Sequence, residues 1–103
     1  MYQEYLTVAI NAAETSGEIL VAYFGKLHDF KQKNQNIRDL VTEVDILSEK
    51  NIRERIRDHF PQHAIIGEES KKENVHSPFV WHIDPIDGTV NYGQGIPFCA
   101  VSI

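Results

Sequence analysis

Phe79-Val80-Trp81-His82-Ile83-Asp84-Pro85-Ile86-Asp87-Gly88-Thr89 runs from an apolar segment straight into a group of acids. Residues 79–83 are apolar on both faces apart from His82, the pattern of a central strand. Asp84 and Asp87 then flank Pro85-Ile86, which reads as a turn. Gly88-Thr89 would let a ligand approach the backbone, and a helix opening there would aim free N–H groups outward. Upstream, Ala64-Ile65-Ile66-Gly67 is a second short apolar run, closed by glycine, and it too meets acids, Glu68 and Glu69. If the two strands are neighbours pointing the same way, Glu68, Asp84 and Asp87 converge at one sheet edge. Open α/β sheets carry their ligands there.

The rest of the chain supplies helices. Tyr2, Tyr5, Leu6, Ala9, Ala12, Ala13, Ser16, Ile19, Leu20, Tyr23 and Phe24 recur at helical spacing. Ala9, Ala13 and Ser16 are small enough to let another element approach, and Gly25 suits a left-handed cap. Residues 29–33 read as a strand and Asn34-Gln35-Asn36 as a turn. A second helix is expected from Thr42, with Thr42 as N-cap and Asp45 three residues on. Its stripe is Val44, Leu47, Ile52, Ile56 and Phe60, and Pro61 ends it. Arg53, Arg55 and Arg57 read as a solvated face, and Trp81 and Cys99 as core. His82 reads as a strand histidine satisfied by hydrogen bonds, and Phe98–Ile103 as a last strand.

Composition bounds the class. The 103 residues are 42% hydrophobic and 24% charged, an ordinary globular balance. Ten Lys and Arg against fifteen Asp and Glu give a net charge of −5, which disfavours non-specific binding to nucleic acid or an anionic membrane. No apolar stretch reaches the length of a membrane span. No basic and apolar leader opens the chain, so no signal peptide is expected. The single cysteine excludes an internal disulfide and fits a reducing, cytoplasmic setting.

Glu68, Asp84 and Asp87 would repel one another if gathered. Hard divalent cations relieve that repulsion, and Mg²⁺ suits a site of few carboxylates and several waters. Cations on the acids would also reverse the sign of the site and admit a phosphate dianion beside Gly88-Thr89. Each piece has a plainer reading. D-P-x-D-G is a common turn, G-E-E is an ordinary exposed strand end, and Asp45 reads as a capping-box acid.

Longer strings add a resemblance. Trp81-His82-Ile83-Asp84-Pro85-Ile86-Asp87-Gly88-Thr89-Val90-Asn91-Tyr92, followed by Pro97 and Val101-Ser102-Ile103, resembles the signature of the inositol monophosphatase family. So do Ile66-Gly67-Glu68-Glu69-Ser70 and Asp39-Leu40-Val41-Thr42-Glu43-Val44-Asp45. His82 and Gln94 depart from the usual pattern without removing a proposed ligand.

The resemblance implies a layered α/β (α+β) sandwich: an N-terminal helical pair plus a mixed β-sheet. Residues 1–103 would be the N-terminal portion of such a domain, cut within a sheet strand. It implies a Mg²⁺-dependent phosphatase, with two or three ions in the complete enzyme, acting on inositol monophosphate or a related sugar phosphate. Glu68, Asp84 and the Ile86 carbonyl would hold the first metal, and Asp84 and Asp87 would share the second. Gly88 and Thr89 would meet the phosphate through N–H groups. The Thr89 hydroxyl, supported by Asp45, would orient the attacking water. Lys33 is expected near the metals but outside this set. The partner would be a small phosphate monoester, with no nucleic acid and no membrane, and the full-length protein a homodimer. This chain alone is expected to be inactive. Alternatives are a non-catalytic metal-binding or dimerisation module, and related phosphatases acting on fructose bisphosphate, adenosine 3′,5′-bisphosphate, NADP or histidinol phosphate.

Overall fold

The computed structural model describes residues 2–33, 36–67, 74 and 76–103, without the side chains of His28 and Lys31. Helix α1 spans Tyr2–Phe24, as its periodicity predicts. Gly25 does not take the expected left-handed conformation, since among the described glycines positive φ belongs to Gly88 and Gly95. Residues 29–32, expected as a strand, lie instead in a short helix, α2, at Leu27–Gln32. Leu27 and Phe30, one turn apart, pack beside Leu40 and Val44, and that burial overrides a weak local preference.

Helix α3 is longer than expected, Ile37–His59. Its N-cap is Asn36, whose side chain accepts from the Arg38 N–H at 3.0 Å. Asn34 and Gln35 of the expected turn lie outside the described residues. Thr42 is therefore mid-helix, and its hydroxyl donates back to the Arg38 carbonyl at 2.9 Å. Asp45 is thus not a capping-box acid.

The three arginines are not one solvated face. Arg53 is buried and meets Glu49 at 3.2 Å. Arg55 donates to Asn51 Oδ1 on its own helix and to Asn11 Oδ1 on α1. Only Arg57 is exposed, as expected.

α1 and α3 lie against each other through small residues, with Ala12, Ser16 and Ser48 fully buried at the contact. α3 in turn covers the strands. The core has two parts. One gathers Val8, Ala12, Ile52, Ile56, Ile65 and Ile83; the other gathers Leu20, Leu27, Leu40, Val44, Ile86 and Tyr92. Each fully buried aliphatic side chain contributes about 1.5–3 kcal/mol relative to exposure.

Strands β1 (Ala64–Ile66) and β2 (Val80–His82) pair in parallel, the condition under which the sequence would bring their acids together. The register sets Ala64 opposite Val80 and Ile66 opposite His82, and the Ile83 N–H reaches the Ile66 carbonyl at 2.9 Å. β2 is not covered on both faces: Val80 and His82 are exposed and Trp81 is half-buried. The side-chain period of two sends His82 outward, to an exposed position. Trp81 packs on Phe60 and His63 and donates to His63 Nδ1 at 3.0 Å. Cys99, expected in the core, is exposed.

β3 (Asp84–Asp87) follows β2 after Ile83 and pairs antiparallel with β4 (Ala100–Ser102). Pro85-Ile86 is therefore strand, not turn. Helix α4, Thr89–Gly93, follows at once.

Candidate metal and phosphate site

In β3, Asp84 pairs with Ser102 and Asp87 with Ala100. Three steps on β3 thus match two on β4, so β3 carries one extra residue, a bulge. In a regular strand, residues three apart point to opposite faces. The bulge cancels that alternation. Ile83 and Ile86 both enter the helix-covered core, one in each part of it. Val101 of β4, between the two paired residues, packs against both parts. Asp84 and Asp87, also three apart, are brought to one pocket in the same way.

That pocket holds about 310 Å³ and is lined by Asp84, Ile86, Asp87, Gly88, Thr89, Val90 and Asn91. Asp87 is exposed, whereas Asp84 is partly buried. Asp84 Oδ1 is fully buried and has no hydrogen-bond partner among the described residues. A carboxylate oxygen held dry without a donor is costly unless a cation satisfies it. The donor set fits a hard, oxygen-seeking ion: carboxylates and backbone carbonyls. Among the described residues no three His, Cys, Asp or Glu side chains gather as a metal centre. Glu68, the third acid expected from sequence, lies outside them.

The opposite wall is the start of α4. Gly88 is its N-cap, with φ 93° and ψ 45°, and supplies no side-chain cap. A Cβ there would lie 3.0 Å from the Phe98 carbonyl oxygen, so only glycine fits both the conformation and the space. The first turn of α4 has no side-chain cap, and its residues Thr89, Val90 and Asn91 line the pocket beside the two acids.

Five sequence-predicted residues therefore meet: Asp84, Ile86, Asp87, Gly88 and Thr89. Asp45 is partly buried on α3 and is not among the lining residues; Lys33, exposed just after α2, is not either. Gln94 forms the C-cap of α4, its N–H donating to the Val90 and Asn91 carbonyls.

Sequence reading missed Ser48. Its hydroxyl donates to the Pro85 carbonyl at 3.0 Å, reaching from α3 into the bulge. The available signal was its place on the apolar stripe, four residues after Val44 and four before Ile52.

The sequence matches the profile of the inositol monophosphatase family over residues 1–103. This chain belongs to the inositol monophosphatase family. It is 42% identical over 101 residues to the Aquifex aeolicus fructose-1,6-bisphosphatase/inositol-1-monophosphatase, covering 98% of this chain and 38% of that protein. It is 36% identical over 104 residues to the Pseudomonas aeruginosa Nus factor SuhB, with the same coverage. Among solved structures it superimposes on the inositol monophosphatase from Anabaena with a TM-score of 0.79 at 38% identity, covering 98% of this chain and 34% of that one. The chain thus spans under two fifths of the length of these family members. The layered arrangement of N-terminal helices and small sheets is the family's fold. Among the described residues, no helix is long and apolar enough to cross a membrane.

Proposed function

We propose that residues 1–103 are the metal- and phosphate-binding portion of a Mg²⁺-dependent phosphatase that hydrolyses inositol monophosphate or a related sugar phosphate. The observation that carries this reading is the bulge. It sets Asp84 and Asp87 on the same pocket as the uncapped start of α4. Acids alone would repel a phosphate, and donors alone would not polarise it. Together they suit a cation and an anion side by side.

Asp84, Asp87, Glu68 and the Ile86 carbonyl would hold the metal. Bound Mg²⁺ would supply charge neutralisation and an activated water. The chain's own groups do the rest. The N–H groups of Gly88 and Thr89 bind and orient the phosphate, and the Thr89 hydroxyl, supported by Asp45, orients the water for in-line attack. The substrate is a small phosphate monoester, the whole protein a homodimer, and its setting the cytoplasm. Relatives that bear an inositol monophosphatase name support the inositol ester, and the Aquifex relative, whose name carries both activities, keeps fructose bisphosphate beside it.

Calorimetric titration of the chain with Mn²⁺ tests the reading. Binding is expected, and its loss in Asp84→Asn. Unchanged affinity in that variant would overturn it.

A further inference from the structure

Serine and threonine inside helices usually bond back to their own helix. Thr7, Thr15 and Thr42 do so, donating to the carbonyls of Gln3, Asn11 and Arg38. Ser16 and Ser48 do not. Ser16, fully buried on α1, donates to the Ser48 carbonyl on α3 at 3.1 Å, and the Ser48 hydroxyl donates onward to the Pro85 carbonyl of β3 at 3.0 Å. Asn51 donates to Ser16 Oγ at 2.9 Å and to Thr15 Oγ1 at 2.8 Å. A polar line therefore crosses two helices and ends on the residue between Asp84 and Ile86.

Pro85 is buried and lies inside the bulge, between the two ladder positions Asp84 and Asp87. The extra residue of a bulge is left out of regular pairing. A buried carbonyl there needs a donor from elsewhere, and Ser48 provides one.

We propose that Ser48 is a positioning residue: its hydroxyl holds the Pro85–Ile86 peptide plane and thereby the bulge that turns Asp84, the Ile86 carbonyl and Asp87 toward one pocket. The role toward a metal rests on the function proposed above; the role toward the bulge does not. Loss of the hydroxyl lets β3 relax toward regular pairing, in which the two carboxylates diverge. Ser16 is the control. It is as buried as Ser48 and also hydrogen-bonded, yet among the described residues its hydrogen bonds go to α3 and not to β3.

Two measurements on the intact chain separate the possibilities. Amide hydrogen exchange without metal reports the bulge: Ser48→Ala is expected to speed exchange at Ile86 and Asp87 at least about tenfold more than across α1 and α3, whereas Ser16→Ala is not. Mn²⁺ titration reports the ligand geometry: Ser48→Ala is expected to weaken binding roughly 10–100-fold, the range for groups that orient metal ligands, with Ser16→Ala near the unsubstituted chain. Ser48→Cys keeps the shape with a somewhat larger atom and a poorer donor and gives the same pattern more weakly, which covers failure of Ser48→Ala to fold. Exchange that rises evenly through the chain, or equal Mn²⁺ affinity in Ser48→Ala and Ser16→Ala, would overturn the inference. Absence of Mn²⁺ binding by the unsubstituted chain would instead overturn the metal reading, and the exchange result would still decide the role of Ser48 in the bulge.

Discussion

The Tyr92 hydroxyl donates to the Leu20 carbonyl at 2.7 Å, across 72 residues of chain, and so ties the short helix beside the acids to the last turns of α1. Tyr92 is 1% exposed and packs edge-on to Phe24. A five-residue helix has little stability of its own. Here the tertiary bond and the buried ring hold it in place.

Stability is expected to fall in alkali because of Tyr92. Burial pushes its hydroxyl up from 10.0 to about 12, with repulsion from Cys99 and Tyr23 adding to the shift. The folded state therefore keeps a proton that the unfolded state releases above pH 10. The contribution is complete below pH 10 and is lost as pH rises toward 12. Urea midpoints at pH 8 and pH 11 should diverge more for the unsubstituted chain than for Tyr92→Phe. Equal divergence would exclude Tyr92 as the cause.

Gly88→Ala should be destabilising by about 1–3 kcal/mol from backbone strain alone. The new Cβ would also press on the Phe98 carbonyl 3.0 Å away, which adds to the cost. Chemical denaturation measures the loss. A variant as stable as the parent would mean that the turn relaxes out of the left-handed region.

Asn51→Ala should cost about 1–3 kcal/mol, the penalty for leaving buried polar partners unmet. Asn51 serves Thr15 and Ser16 through its Nδ2 and receives Arg55 at its Oδ1, so its removal opens the α1–α3 contact. Glu54→Ala, on an exposed position of the same helix, should stay within about 0.5 kcal/mol of the parent. Thermal melts of the two variants should separate clearly.

The 103-residue chain is expected to release phosphate from inositol monophosphate at no more than background. Among the described residues its pocket is lined by Asp84 and residues 86–91, and little there would position the alcohol part of a substrate. A colorimetric phosphate assay at saturating Mg²⁺, with Asp84→Asn as control, decides the matter. Turnover abolished in the control would show that these residues suffice.

In a form of the protein that turns over, Thr89→Ala should lower kcat by roughly 10²–10⁴-fold, the usual worth of assisting proton transfer. Mn²⁺ affinity should change little, since the hydroxyl is not a proposed ligand. A near-parental kcat would remove Thr89 from the water-orienting role.

Legible in the residues alone were α1, most of α3, the two short apolar strands, the family, and five of the residues that line the pocket. These rest on local and periodic signals: helical spacing in α1, apolar runs closed by glycine or acids, and separate acid motifs that point to one family only when taken together. Three further points depend on contacts in the folded chain. Residues 29–32 became helix because Leu27 and Phe30 find a buried partner in α3. Asp45 lost its capping role because Asn36, six residues before Thr42, captures the helix start. Most of all, Asp84-Pro85-Ile86-Asp87 became a bulged strand rather than a turn. Its spacing suits a turn, and what opposes the turn is non-local: pairing with β4, burial of Ile83 and Ile86 under the helices, and a donor from Ser48 for the proline carbonyl. Register and bulges arise from contacts between distant segments, so a period-two reading of β3 alone would have sent the two carboxylates to opposite faces.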